Sequence, residues 1–283
     1  NMTTIAISIV FVILLIAASL FIFVTVLLAT PPKGTAKDML SQNISGKGRV
    51  VACIGDSLTQ GNLGVSWVDM LRKEFPQDVF LNEGINGELT CQVIKRIEPI
   101  LQCKPDVVIL MIGSNDVMGS FDKASGNRYM IRNNLSELPT FGNYKKLLPE
   151  LIDYLSVVAR VAICTLPPIG EYPDSEINIY IEKFNDYIKS MAKKKNLSVL
   201  NVTDAMWDEL DKRNYPVIND YNPHISLIAR RMLGGCIQHY IFKKPWDRVG
   251  RSKGQWLLFD QIHLGERGAR VMYELTKKFI KLG

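Results

Sequence analysis

A three-layer α/β domain built on a parallel sheet is the fold class that this sequence predicts, and three observations predict it. Short apolar runs that read as buried strands alternate with amphipathic stretches at helical spacing. Such alternation implies crossover connections, and right-handed crossovers put helices on both faces of one sheet. The composition, 47% hydrophobic and 22% charged over 283 residues, is that of an ordinary globular protein, long enough for one sizeable domain plus an appendage.

The appendage comes first. From Ile5 to Ala29 run 25 residues with no charge, glycine or proline. As a helix rising about 1.5 Å per residue, this stretch spans a hydrocarbon layer of ~30 Å with some tilt. A cleaved signal peptide has only about 7–15 apolar residues behind a basic start, so a retained single-pass anchor is expected over residues 1–30. The first residue is Asn1 rather than methionine, from which processing or a missing upstream part is expected. Orientation is signalled twice, in opposite senses. Lys33, Lys37, Lys47 and Arg49 follow the span, which places the domain on a cytoplasmic or matrix side. Five of the 17 asparagines (Asn1, Asn43, Asn134, Asn196, Asn201) begin Asn-x-Ser/Thr sequons, which point to a secretory lumen. A secretory or ER membrane and an organelle inner membrane such as the mitochondrial one both stay open.

A polar linker is expected over 31–48 and the folded domain over 49–283. Residues 49–54 read as the first strand, followed by a short amphipathic helix over 67–75. A second strand is expected at 79–82. Residues 90–101 are expected as one helix, with Val93, Ile94, Ile97 and Leu101 on its inner face. The continuous apolar run 107–112 is the third strand, and 144–158 a helix with a proline near its middle. The fourth strand, 160–165, is stopped by Pro167 and Pro168. A helix over 177–194, a fifth strand at 198–202 and a final helix from Glu266 complete the order. In such sheets ligands bind beyond the carboxyl ends of the strands.

Three of those ends carry distinctive residues. After the first strand stands G-D-S-L-T with Ser57, after the second N-E-G-I-N-G-E-L-T with Gly87, and after the third G-S-N-D with Asn115. A serine hydroxyl needs a base to attack an ester, and the resulting oxyanion needs hydrogen-bond donors. Gly87 offers a backbone N–H, Asn115 a side-chain amide, and Ser57 its own N–H. Gly84 competes with Gly87 for that place. Near the C-terminus, F-D-Q-I-H-L-G sets Asp260 three residues before His263, a spacing that lets the carboxylate orient the ring. Asp56 and Asp116 read as structural carboxylates bonding local backbone, and His224 and His239 as ordinary surface or core histidines. Five cysteines without a CxxC pair, and three histidines, argue against a disulfide framework and a zinc site. Cys53 and Cys164 fall inside expected strands.

On these blocks the chain resembles the SGNH hydrolases, the GDSL esterase and lipase family, over roughly residues 49–283. G-D-S at 55–57, the glycine block at 84–87, G-x-N-D at 113–116 and D-x-x-H at 260–263 stand in the family's order, and T-L-P-P at 165–168 fits its segment after the fourth strand. The resemblance implies a flavodoxin-like five-stranded sheet and a serine esterase that needs no cofactor or metal. It implies Ser57 as nucleophile, His263 as base, Asp260 as its orienter, and Gly87 with Asn115 as the oxyanion site. Among those two glycines, family position favours Gly87. The G-x-S-x-G elbow of the α/β-hydrolases is absent.

Residues 207–259 exceed what a minimal member of that family needs. Within 213–254, eight Lys or Arg face only Asp220 and Asp247, a net +6 that equals the formal charge of the whole chain. Its middle, 225–242, is apolar and is expected to break at Gly234–Gly235. The segment reads either as a lid or surface on anionic lipid, or as a packed insertion with a solvated basic face or a partner-docking surface. No nucleic-acid motif accompanies the charge. The expected protein is thus a membrane-anchored serine esterase acting on lipid or lysophospholipid esters first and acetyl esters second. The alternative is an accessory subunit of a membrane complex that keeps the hydrolase fold, with partners holding the anchor or the basic insertion.

Overall fold

The computed structural model describes residues 2–42 and 48–282. The sequons at Asn1 and Asn43 and the basic Lys47 lie outside those residues. The chain divides into two compact units, Asn1–Pro31 and Pro32–Gly283. The first unit holds one helix, α1 (Met2–Ala29). Within it Thr4–Ala29, with mean hydropathy 3.2, is long and apolar enough to cross a membrane by length and composition, a test that a signal sequence also passes.

The second unit opens with α2 (Ala36–Gln42), in a stretch expected to be plain linker. Its register is set by Thr35 and Asp38, which bond each other's backbone N–H, and by Glu83, whose Oε1 accepts the Ala36 N–H at 2.6 Å. There follow β1 (Val50–Gly55), α3 (Ser57–Gln60), α4 (Trp67–Glu74) and β2 (Val79–Gly84). The helix expected over 90–101 is two, α5 (Thr90–Lys95) and α6 (Glu98–Gln102). Pro99 lacks the N–H an unbroken helix requires, so the second helix starts afresh around it. Next come β3 (Val107–Met111), α7 (Ser114–Phe121), α8 (Lys123–Arg132), α9 (Phe141–Ser156) and β4 (Arg160–Cys164). The chain then forms α10 (Glu176–Lys195), β5 (Ser198–Leu200), α11 (Val202–Leu210), α12 (Ile225–Cys236), α13 (Trp246–Arg251) and α14 (Glu266–Lys281).

All five strands pair in parallel, in the order β2-β1-β3-β4-β5. Alternate side chains serve two cores. Ala52, Ile54, Val108 and Leu110 face the helices α5 to α10, where Phe184 meets the rings of Phe141, Tyr144 and Tyr180. Val51, Cys53, Ile109 and Met111 face α4, α11 and α14. Strand order reverses direction between β1 and β3, so their carboxyl ends diverge into the crevice where such folds bind ligands.

The insertion after β5 is helical, and its two glycines do not interrupt it. α12 passes through Gly234 and Gly235 and continues into a π-helical turn, Ile237–Ile241. His239 stacks on Trp246, at 4.0 Å between ring centroids, and Trp246 packs on Phe259. Gly235 is where the helix touches the body: a Cβ there would fall 2.6 Å from the Phe259 ring, whereas nothing lies within 4 Å of one at Gly234. Two neighbouring substitutions should therefore have opposite effects on thermal unfolding. Gly234→Ala should stabilise by up to about 1 kcal/mol through helix propensity. Gly235→Ala should destabilise by about 1–3 kcal/mol through overpacking against Phe259. Equal shifts in the two variants would contradict this packing.

Candidate active site

Three adjacent strands deliver the residues singled out in the sequence to one edge of the sheet. β1 ends at Gly55, and Asp56 caps the single turn α3, its Oδ1 accepting the Leu58 N–H at 3.0 Å. Ser57 is thereby the first residue beyond the cap, buried with its hydroxyl toward His263. β3 ends before Gly113 and leads straight into α7, which carries Asn115. β2, on the other side of β1, leads into the loop 84–88.

His263 comes from a loop 206 residues further along the chain, and its Nε2 stands 3.1 Å from Ser57 Oγ. Its Nδ1 lies 2.7 Å from Asp260 Oδ2. An ionised carboxylate only accepts, so Nδ1 carries the hydrogen and Nε2 keeps its lone pair for the serine hydroxyl. Asp260 Oδ1 accepts the backbone N–H groups of Ile262 and His263, at 3.0 and 2.8 Å. Burial pushes the Asp260 carboxyl up, but the adjacent His263 ring and these bonds outweigh it and hold the carboxyl below its usual range. This is the arrangement in which a serine can be deprotonated and the resulting imidazolium stabilised.

The loop that carries both residues is gripped by a glutamate that no sequence pattern singled out. Glu171, buried after β4, accepts the N–H groups of Trp256, Leu257 and Leu258 at 2.7, 2.7 and 2.9 Å, and pairs with Arg213 at 2.9 Å. The Phe259 N–H bonds back to the His263 carbonyl at 3.0 Å, closing the loop, and Gln261 turns it at φ +80°. Only the position of Glu171, just past T-L-P-P, could have drawn attention to it.

The expected oxyanion donors are differently placed. Gly84 donates its N–H to Asn82 Oδ1 at 3.0 Å, so it is occupied. The N–H groups of Gly87 and Ser57 have no acceptor among the described residues. Gly87 adopts φ +77°, a conformation that favours glycine, and the flexible Arg132 guanidinium lies over it. Arg96 braces the loop from beneath, bonding the carboxylates of Glu83 and Glu88 at 2.8 Å each. Asn115 holds both its amide hydrogens in protein bonds, to the Glu88 carbonyl at 2.9 Å and more loosely to Asp56 Oδ2 at 3.2 Å. Its Oδ1 accepts from the Tyr129 hydroxyl at 2.6 Å, which fixes which way the amide faces. Tyr129 also went unnoticed in the sequence, because it lies on the mostly polar α8.

Asp56 and Asp116 were expected to bond local backbone; Asp56 does so at Leu58 but also meets Asn115, and Asp116 instead ties α7 to α5. Asp116 accepts the backbone N–H and the hydroxyl of Thr90, both at 3.1 Å. Burial raises Asp56 to about 6 and Asp116 to about 7. His224 caps α12 through Ser226, and His239 packs on Trp246. Among the described residues no group of three or more His, Cys, Asp or Glu is placed to hold a metal ion.

Comparison with known proteins bears on what this site belongs to. The model of the GDSL-like lipase/acylhydrolase family matches residues 53–271. Among solved structures, an acetylxylan esterase from Geobacillus stearothermophilus is similar at 18% identity and TM-score 0.58, over 83% of this chain and 95% of that one. An alpha/beta hydrolase enzyme from the metagenome of Lake Arreo, Spain, is similar at 18% identity and TM-score 0.55, over the same shares. At these identities the likeness is one of fold. The search of curated proteins gave no significant match.

The two raised carboxyls carry a pH dependence of stability. Between about pH 4 and pH 7 the folded chain holds protons on them that the unfolded chain has lost, so stability falls as pH rises through that window. Asp116→Asn removes one of these groups while keeping an acceptor for Thr90. The loss of unfolding free energy between pH 5 and pH 8 should then shrink, by on the order of 2 kcal/mol, in denaturant titrations of variant and parent. An identical loss in both proteins would contradict the assignment.

Proposed function

Because the chain belongs to the GDSL-like lipase/acylhydrolase family, we propose that Ser57, His263 and Asp260 form the catalytic triad of its ester hydrolysis. Membership makes the chain a serine ester hydrolase. The observation that carries the residue assignment is the continuous line of bonds from Asp260 through His263 to Ser57, at 2.7 and 3.1 Å.

In this reading the Ser57 hydroxyl gives its proton to His263 Nε2 as Oγ attacks the ester carbonyl. Asp260 holds the ring in the required tautomer and stabilises the imidazolium. The carbonyl electron pair moves onto oxygen, where the N–H groups of Ser57 and Gly87 and the amide of Asn115 receive it. Asn115 can serve only by giving up one of its present bonds. The 3.2 Å contact to Asp56 is longer than the 2.9 Å bond to the Glu88 carbonyl, so it is the one more readily exchanged for the oxyanion. Collapse of the intermediate returns the proton from His263 to the leaving alcohol. Water then enters, loses its proton to His263, attacks the acyl carbon and releases the acid with Ser57 restored.

Lipid or lysophospholipid esters are the substrate class we put first. The apolar helix Thr4–Ala29 supports this, since as a retained anchor it holds the domain at a bilayer where such esters are concentrated. Acetyl esters come second, supported by the likeness of fold to an acetylxylan esterase. Hydrolysis of p-nitrophenyl esters of graded acyl length separates the two, with long chains preferred in the first case and acetate in the second. On whichever ester is best, Ser57→Ala should lower kcat by at least about 10³-fold. Asn115→Ala should lower kcat by about 10²–10³-fold. Full turnover by Ser57→Ala would remove Ser57 from the mechanism, and a change below about threefold in Asn115→Ala would remove Asn115 from the oxyanion site.

A further inference from the structure

A cavity of about 680 Å³ lies between α12 and the loop that carries Asp260 and His263. Its wall brings together Arg230, Arg231 and Lys253, with Asp220 as the single carboxylate. None of the three cations is in an ion pair among the described residues. Arg231 donates to the side-chain oxygen of Gln261, and Lys253 to the carbonyls of Arg231 and Phe259 at 3.1 and 3.3 Å, all neutral acceptors. Asp220 forms no ion pair with them among the described residues; its Oδ1 accepts the Tyr221 N–H at 2.6 Å. Arg231 and Lys253 are half-buried, and burial holds both below their ordinary values. The Asp260 carboxylate offsets part of the cost of keeping these two cations partly out of water, but it is bonded to His263 and ion-paired with neither, so an anion in the cavity lowers that cost further. Asn219, Asn222, Ser252 and Gln255 add polar groups to the same wall.

We propose that this cavity is a binding site for an anionic group, a phosphate or a carboxylate, held by Arg230, Arg231 and Lys253. The site touches the catalytic loop directly, through Gln261 in its wall and through the Lys253 bond to the Phe259 carbonyl. Its occupant therefore either belongs to the substrate, as a charged part remote from the ester, or is a separate ligand that tightens the loop. The proposal stands apart from the roles given to Ser57 and His263.

Calorimetric titration of the full chain in neutral detergent with inorganic pyrophosphate at low ionic strength tests it. Saturable binding at one site is expected, weakened at least about tenfold in Arg230→Gln and again in Lys253→Gln. No saturable binding to the folded protein, or binding that both variants retain, would overturn the proposal. Two nitrophenyl esters, the neutral acetate and the carboxylate-bearing hydrogen glutarate, then identify the source. An anion carried by the substrate makes the charged ester the better one by about tenfold or more in kcat/KM, a preference that Arg230→Gln loses. A separate ligand leaves the two esters alike and makes pyrophosphate alter turnover of the acetate. Pyrophosphate binding by a protein whose Ser57→Ala variant keeps full turnover of its best ester would keep this site and refute the triad, so the two ideas fail separately.

Discussion

The proposed nucleophile Ser57 depends on a loop that reaches it only through tertiary structure, and the grip of Glu171 on that loop is the contact on which the rest depends. A helix or strand would have satisfied the backbone of residues 256–258 by itself. Here three successive N–H groups point at one buried carboxylate, with Arg213 supplying the matching charge. Charge-assisted bonds of this kind are roughly twice as strong as neutral ones, and removing one partner leaves the others buried and unpaired. The short turn from Asp260 to His263 is thus set against a fixed frame, and the 3.1 Å approach of His263 to Ser57 is inherited from it.

The carboxyl groups around the site are divided by environment rather than by type. Asp260 is as buried as Asp56 and Asp116, yet it has a histidine and two backbone N–H groups beside it and stays ionised. Asp56 and Asp116 have too few donors to offset burial, and both titrate near neutrality. The outcome is one permanent negative charge beside His263, and two carboxyls beside Asn115 and Thr90 that titrate near neutrality. Separation of titratable groups by surroundings is how one site performs proton transfer in both directions.

The sheet and its three functional ends were legible in the sequence for a simple reason. Buried parallel strands are continuous apolar runs, and the residues past their ends have no packing duty to obscure them. Helices without a clear apolar stripe were not legible: α7 and α8 carry Ser114, Asn115, Asp116 and Ser125 where periodicity would want apolar side chains. The break at Pro99 follows local propensity that the apolar spacing of 90–101 masked, whereas the continuity through Gly234–Gly235 runs against it, because packing on Phe259 outweighs the helix cost of two glycines. Ser57, Gly87, Asn115, Asp260 and His263 could be picked out by their blocks. Glu171 and Tyr129 could not, since each acts through a contact with a residue far along the chain or on a polar helix. The cations of the α12 cavity were visible only as local charge, without the wall that gathers them.

The central claim is that Ser57 is a nucleophile activated by His263. The measurement that tests it most directly is covalent labelling of the full chain by an uncharged organophosphonate, followed by peptide mass spectrometry. The account predicts one adduct per chain on Ser57 and its loss when His263 is replaced by alanine. An adduct on another residue, or labelling of Ser57 at an unchanged rate without His263, would contradict it.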